Sequence, residues 1–127
     1  MISSLLAIGL GGALGAVARY GASSGIMTLF KTYFPYGTLC VNVLGSFAIG
    51  LLIAIFAHYG NPSRPWQMFL VTGFLGGFTT FSTFSLDAMT LITRGHYLES
   101  ALYMSGSLVF SILAVFAGAY LGGRMIG

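Results

Sequence analysis

Four long apolar stretches alternate with short polar segments along the 127-residue chain. The stretches cover residues 2–30, 37–58, 66–93 and 98–123. Each is long enough to cross a hydrocarbon core of about 30 Å as an α-helix. The segments between them are too short to hold a soluble domain, so residues 1–127 are expected to form one unit. The pattern predicts an all-α membrane protein with four transmembrane helices.

Composition supports this prediction and excludes some kinds of function. The chain is 57% hydrophobic and only 6% charged, whereas soluble domains carry about 25% charged residues. Cys40 is the only cysteine, which excludes an internal disulfide and a multi-thiolate metal site. His58 and His96 lie far apart, near predicted span ends. We therefore do not expect a metal-dependent enzyme.

The basic residues that flank the spans give almost no signal for orientation. Lys31 and Arg94 fall on one side of a four-span topology, and Arg64 and Arg124 fall on the other. The positive-inside rule depends on an imbalance between the two sides, and the count here is two against two. The balance predicts that the chain inserts into the membrane in both orientations.

The third stretch contains the segment "GFLGGFTTFSTFS", residues 73–85, which is unusual for a membrane helix. Gly76 and Gly77 weaken a helix, and two readings of this pair remain open. The helix either bends at the glycines or breaks there. A break would free backbone carbonyls that bind a cation.

Phenylalanines recur at helical spacing in this segment: Phe74, Phe78, Phe81 and Phe84. Such a stripe usually faces lipid or packs against a neighbouring helix. An alternative uses the positive edge of the aromatic ring, which attracts an anion weakly and without a formal charge. Phe81 and Phe84 would then present two rings on one face, with the hydroxyls of Ser82 and Thr83 beside them.

Polar residues in the other spans allow similar alternatives. Asn42 is either a hydrogen-bonding link between helices or a donor to a ligand. Tyr103, Ser107 and Ser111 line one face of the fourth span, where they would conduct an anion or satisfy nearby carbonyls. Arg19 either raises the local anion concentration in a vestibule or extends to the membrane interface.

Over essentially its whole length, the chain resembles the Fluc (CrcB) fluoride channels. The resemblance rests on "GLGGALGAVARYG" at 9–21, "YGTLCVNVLGSFAIG" at 36–50 and "GFLGGFTTFSTFS" at 73–85. It implies a four-helix subunit with a broken third helix that assembles as an antiparallel, dual-topology homodimer. Two fluoride pathways and a central sodium ion at the helix breaks are also implied.

The resemblance assigns roles to individual residues. It implies that Phe81 and Phe84 meet fluoride through their ring edges and that Asn42 is a pore-lining donor. Gly76 and Thr79 would offer backbone carbonyls to sodium. The remaining positions expected on the fluoride pathway are Ser82, Thr83, Arg19, Tyr103, Ser107 and Ser111.

The expected function is passive, fluoride-selective export through a bacterial inner membrane, which protects the cell against fluoride. The expected partners are fluoride, a second copy of the chain and the lipid bilayer, with no nucleic acid. A small multidrug-type, proton-coupled antiporter is the alternative, although the first span lacks the glutamate that such exchange needs, since Asp87 and Glu99 are the only carboxylates. A non-conducting membrane assembly factor is a third possibility.

Overall fold

The structure is a computed structural model and describes residues 1–126. Helices account for nearly all of this range, and residues 1–126 contain no β-strand. The elements are α1 (Ile2–Phe30), α2 (Tyr36–Tyr59), α3 (Arg64–Gln67), a π-helix (Met68–Leu75), α4 (Gly76–Phe78), α5 (Ser82–Thr93) and α6 (Tyr97–Ile126).

Four helical stretches in this arrangement are long and apolar enough to cross a membrane: Ile2–Phe30, Tyr36–Tyr59, Arg64–Thr93 and Tyr97–Arg124. The prediction of an all-helical chain with four helices able to span a membrane is therefore confirmed. We refer to Arg64–Thr93, which contains α3, the π-helix, α4 and α5, as the third segment.

Three residues in the turns between these helices have a positive φ, and two of them are glycines. Gly60 follows α2 with φ at 93°, and Gly95 follows α5 with φ at 84°. A side chain would strain the backbone at both positions. Lys31 ends α1 at φ 48°, and its N–H donates to the Met27 carbonyl. These turns are tight, so each helix returns directly beside an earlier one.

α1 packs against the third segment through glycines on both helices. A Cβ at Gly11 would collide with the Phe69 carbonyl oxygen, and one at Gly15 with the Phe74 carbonyl oxygen. From the other side, a Cβ at Gly77 would lie 2.6 Å from the Gly12 carbonyl oxygen. Small residues let helix backbones approach closely in a membrane, where burying apolar surface gives no advantage over lipid. α1 and the third segment therefore form one tightly packed pair.

α2 and α6 form a second pair by the same means. A Cβ at Gly50 would overlap the Val115 carbonyl oxygen, and a Cβ at Gly118 would overlap the Phe47 carbonyl oxygen. Gly122 continues this contact next to Ala54 and Leu51. The fold is thus built from two glycine-packed helix pairs, and the spacing Gly118–Gly122 serves contacts inside the subunit.

Gly21 and Gly25 behave differently, although they have the same spacing of four. Both are exposed, and no described atom lies within 4 Å of a Cβ built at either position. The close packing of α1 on the third segment is limited to the part of α1 around Gly11 and Gly15.

Helical geometry in the third segment is interrupted after Phe78. Thr79 is extended, with φ −92° and ψ 158°, and α5 begins at Ser82. Gly76 and Gly77 are themselves helical and belong to α4. From the sequence, a bend or a break at the glycine pair remained open. The interruption instead begins two residues after Gly77, which is needed for the close contact with α1. We refer to residues 79–81 as the interruption.

A polar cluster joins the α1–α2 loop to the start of α6. The Tyr33 hydroxyl donates to the Glu99 carboxylate at 2.9 Å, and the Tyr33 ring stacks on His96 at 4.2 Å between centroids. The hydrogen bond to Glu99 raises the pKa of the Tyr33 phenol above its usual range, because the ionised phenolate would lose that bond. The cluster ties the two connections at this end of the bundle together.

Candidate functional site

A groove of about 540 Å³ opens between the third segment and the pair formed by α2 and α6. The interruption forms one wall, α2 forms the second and the middle of α6 forms the third. Its lining residues are Asn42, Gly45, Ser46, Ile49, Val71, Leu75, Gly76, Thr79, Thr80, Phe81, Phe84, Ser107, Leu108, Ser111 and Ile112.

The groove is uncharged, and a few hydroxyls and one carboxamide stand among mostly apolar lining residues. None of its lining residues, all within the described chain, carries a formal charge. The Ser107 hydroxyl oxygen is buried and has no hydrogen-bond partner among the described residues. Burying an unpaired hydroxyl costs about 1–3 kcal/mol, so such a group in a groove is suited to bind water or an anion. The arrangement offers neutral donors to a small ligand.

Two phenylalanine rings flank these donors. Phe81 is 78% exposed at the groove, and its ring centroid lies 5.5 Å from that of Phe84. Phe84 in turn contacts the ring of the fully buried Tyr103, with the centroids 5.1 Å apart. Phe84 is therefore held by the core, whereas Phe81 projects from the subunit surface.

Asn42 links α2 to the interruption. Its Nδ2 donates to the Thr80 carbonyl at 2.9 Å, and its Oδ1 accepts from the Thr80 N–H at 2.8 Å. The carboxamide thus supplies the hydrogen-bond partners that a regular helix would supply to the N–H and the carbonyl of Thr80. Asn42 thus lines the groove and also contacts the backbone of another helix.

Arg19 links α1 to the same region. Its Nε donates to the Gly77 carbonyl at 3.0 Å, in a half-buried contact. Arg19 is not among the residues that line the groove. Its guanidinium is thus engaged with the backbone of α4, and it approaches the interruption from the side opposite Asn42.

The hydrogen bonds around the interruption leave certain carbonyls free. In a continuous helix, the Gly76 carbonyl would accept from Thr80 N–H, and the Thr79 carbonyl would accept from Thr83 N–H. Here Thr80 N–H donates to Asn42, and Thr83 N–H donates to the Thr80 hydroxyl at 3.1 Å. The Gly76 and Thr79 carbonyls have therefore lost their helical partners, and both residues line the groove.

The groove brings together most of the residues that the sequence analysis selected. Asn42, Gly76, Thr79, Phe81, Phe84, Ser107 and Ser111 line it, whereas Arg19, Ser82, Thr83 and Tyr103 do not. The Tyr103 hydroxyl donates to the Asp87 carboxylate at 3.1 Å and is fully buried. Ser82 is exposed, and its hydroxyl lies 3.4 Å from that of Thr80.

Sequence reasoning missed two features of the groove. Ser46 lies one helical turn after Asn42 and adds a hydroxyl to the α2 wall, a position that the spacing of four from Asn42 indicates. Gly45 makes room for the interruption, since a Cβ there would collide with the Thr79 methyl group. No local sequence signal distinguishes Gly45 from the other glycines of the spans.

Comparison with known proteins places the chain in a family. Residues 6–119 match the model of the CrcB-like protein family, Camphor Resistance (CrcB). A fluoride-specific ion channel FluC from Cereibacter sphaeroides is 54% identical over 118 residues, which cover 93% of each chain. The FluC of Agrobacterium fabrum is 54% identical over 115 residues, 91% of this chain and 92% of that one.

A more distant relative matches over the same extent. The FluC of Chloroflexus aurantiacus is 44% identical over 121 residues, 95% of this chain and 96% of the relative. The similarity therefore includes all four helices and the groove between them. On these matches, the chain belongs to the CrcB-like family.

Proposed function

We propose that the chain is the subunit of a passive, fluoride-selective ion channel, a multi-pass protein of the bacterial inner membrane that exports fluoride from the cytoplasm. The relatives from three bacteria are named fluoride-specific ion channels, a class of protein that is not enzymatic. The observation that carries the proposal is the uncharged groove with the unpaired Ser107 hydroxyl on one wall and the Phe81 ring at its opening.

The groove supports a simple mechanism of permeation. Fluoride is small and strongly hydrated, so it must exchange water for donors that the protein supplies. The hydroxyls of Ser107 and Ser111 follow one another along α6, and the edges of Phe81 and Phe84 supply weak positive potential. Weak, successive contacts allow an anion to enter and to leave. The absence of a fixed positive charge among the lining residues of the described chain favours rapid release.

A second copy of the chain is the proposed partner, in antiparallel orientation. The groove is open on the subunit surface, and its unpaired Ser107 hydroxyl and the Gly76 and Thr79 carbonyls would be costly against lipid. Phe81 belongs to the interruption, lines the groove and is 78% exposed. An antiparallel homodimer would cover the groove and place the interruptions of the two subunits near each other.

Sodium is the proposed ion between the two subunits, because the groups available there are backbone carbonyl oxygens. The Gly76 and Thr79 carbonyls have lost their helical partners, and neutral carbonyl oxygens suit a monovalent cation. Two carbonyls from each subunit would hold the ion, which would act as a structural link and would not be transported. These carbonyls are the chain's contribution to the proposed site.

Sodium removal is therefore expected to impair the dimer. Replacing sodium with N-methyl-D-glucamine should lower the thermal stability of the purified protein and reduce fluoride efflux from liposomes, because ligand binding to the folded state adds stability. Melting curves followed by size-exclusion chromatography measure the first effect, and a fluoride electrode measures the second. Equal stability and flux in both cations would contradict the sodium site.

Dual topology is expected from the balanced charges at the two sides of the membrane. Asn61 and Ser63 are exposed in the α2–α3 loop, so lysines fit there without disturbing packing. The double variant Asn61→Lys, Ser63→Lys should insert in one orientation, because it adds two charges to one side. Reaction of single loop cysteines with impermeant reagents in intact cells measures orientation. Labelling of the unmodified chain from one side alone would contradict dual topology.

Fluoride efflux from liposomes tests the proposed function. We expect fluoride to leave proteoliposomes along its own gradient, with no imposed proton gradient and with little flux of chloride. An antiporter would need the proton gradient, and an assembly factor would give no flux above that of empty liposomes. The antiporter is not supported by the relatives, and no titratable residue lines the groove in the described chain.

A further inference from the structure

We propose that Arg19 and Asn42 are positioning residues that keep the third segment interrupted by taking the hydrogen-bonding groups a continuous helix would pair. The inference rests on the proposed function, since it concerns the carbonyls assigned to sodium. It differs from the pathway roles that the resemblance implies for both residues, and for Asn42 it specifies what a hydrogen-bonding link between helices does.

The pairing of backbone groups around residues 76–84 supports the inference. In a continuous helix, the Gly77 carbonyl would accept from Phe81 N–H, and the Thr80 carbonyl would accept from Phe84 N–H. The first carbonyl accepts from Arg19 Nε, and the second accepts from Asn42 Nδ2. Asn42 Oδ1 also takes Thr80 N–H, the helical partner of the Gly76 carbonyl. Arg19 and Asn42 therefore bind backbone groups that belong to three hydrogen bonds of a continuous helix.

The two side chains act from different helices on the two ends of the same short segment. Arg19 comes from α1, which is fixed against α4 by glycine contacts, and Asn42 comes from α2. An unpaired backbone group in a membrane interior is costly, so Gly77 and Thr80 would otherwise favour helical pairing. A continuous helix would also consume the Gly76 carbonyl. Arg19 and Asn42 thus maintain the shape that leaves the Gly76 carbonyl free.

The decisive feature of Arg19 in this proposal is the donor at Nε and not the charge. Glutamine carries its amide nitrogen at the same distance along the side chain as the Nε of arginine, whereas methionine has similar length and no donor. Arg19→Gln therefore retains the bond to the Gly77 carbonyl and removes the charge. Arg19→Met removes both. For Asn42, leucine removes both bonds to Thr80, and aspartate retains the acceptor alone.

The experiment measures how sodium stabilises the purified, full-length protein and supports its fluoride flux. We expect Arg19→Met and Asn42→Leu to need about tenfold more sodium than wild type for the same rise in melting temperature, the order expected for losing a charge-assisted or paired hydrogen bond. Arg19→Gln should follow the wild-type sodium curve, and Asn42→Asp should fall between. Excess sodium should restore flux in the Met and Leu variants.

Different outcomes would overturn different parts of the account. If Arg19→Gln and Arg19→Met both shift the fluoride dependence of flux and leave the sodium dependence unchanged, Arg19 attracts anions and the proposal is wrong. If wild type does not respond to sodium, the sodium site fails by itself. Amide hydrogen exchange of a peptide covering residues 76–84 then decides the proposal. The proposal is supported if the exchange rate of this peptide differs from wild type in Arg19→Met and equals wild type in Arg19→Gln. Equal exchange rates in wild type, Arg19→Met and Arg19→Gln refute it.

Discussion

Phe81→Ile is expected to reduce fluoride flux by about 5- to 30-fold while the protein stays folded. The change preserves an apolar side chain and removes the ring quadrupole, whose interaction with a dehydrated ion is worth about 1–2 kcal/mol. Phe81 is 78% exposed in the subunit, so isoleucine leaves the core of the subunit intact. Efflux from liposomes and the size-exclusion profile of the dimer are the two measurements.

Phe116→Ile is the matched control for this experiment. Phe116 is 70% exposed on α6 and does not line the groove, so its replacement should leave flux unchanged. Phe84→Ile is a less specific test, because Phe84 also packs against Tyr103. Phe84→Tyr should be milder than isoleucine, since the ring edge is retained. Normal fluoride flux through Phe81→Ile would contradict a role of the Phe81 ring in permeation and would leave the phenylalanines as packing residues.

Periodicity and composition predicted the helices of this protein because each apolar stretch is much longer than a helix of a small soluble domain. The sequence also indicated the α6 wall of the groove, since Ser107 and Ser111 repeat at helical spacing and lie on one face of α6. Phe81 and Phe84 line the groove as well, but Phe81 lies in the interruption and not on the face of a helix. A repeat of this type involves a single helix. The helical repeat alone then determines which face of that helix each residue occupies.

Contacts between different helices could not be predicted from such repeats. The pair Gly76–Gly77 suggested a bend or a break there, yet the helix continues to Phe78, because Gly77 packs on α1 and Asn42 pairs with the backbone of Thr80. The position of the interruption therefore depends on two neighbouring helices. For Arg19 the sequence likewise left two alternatives, a vestibule that attracts anions or the membrane interface, whereas its hydrogen bond to Gly77 depends on the pairing of α1 with the third segment.

Gly15→Ala is expected to disrupt the fold, although alanine is the better helix former by about 1 kcal/mol. Gly15 is buried, and a Cβ there would overlap the Phe74 carbonyl oxygen and lie 2.9 Å from the Phe78 nitrogen. Both neighbours are backbone atoms, which cannot rotate away as a side chain can. The helices must therefore separate, at a cost of about 3 kcal/mol or more.

Gly9→Ala provides the control on the same helix. Gly9 is exposed, and no described atom lies within 4 Å of a Cβ built there, so alanine should leave stability unchanged or raise it slightly. Thermal melting in detergent, followed by the size-exclusion peak, compares the two variants with wild type. Because α4 leads directly into the interruption, Gly15→Ala should also abolish fluoride flux in any protein that remains dimeric. Equal melting of Gly9→Ala and Gly15→Ala would show that the backbones of α1 and the third segment are farther apart than described, and the positioning of Arg19 against Gly77 would fail with that contact.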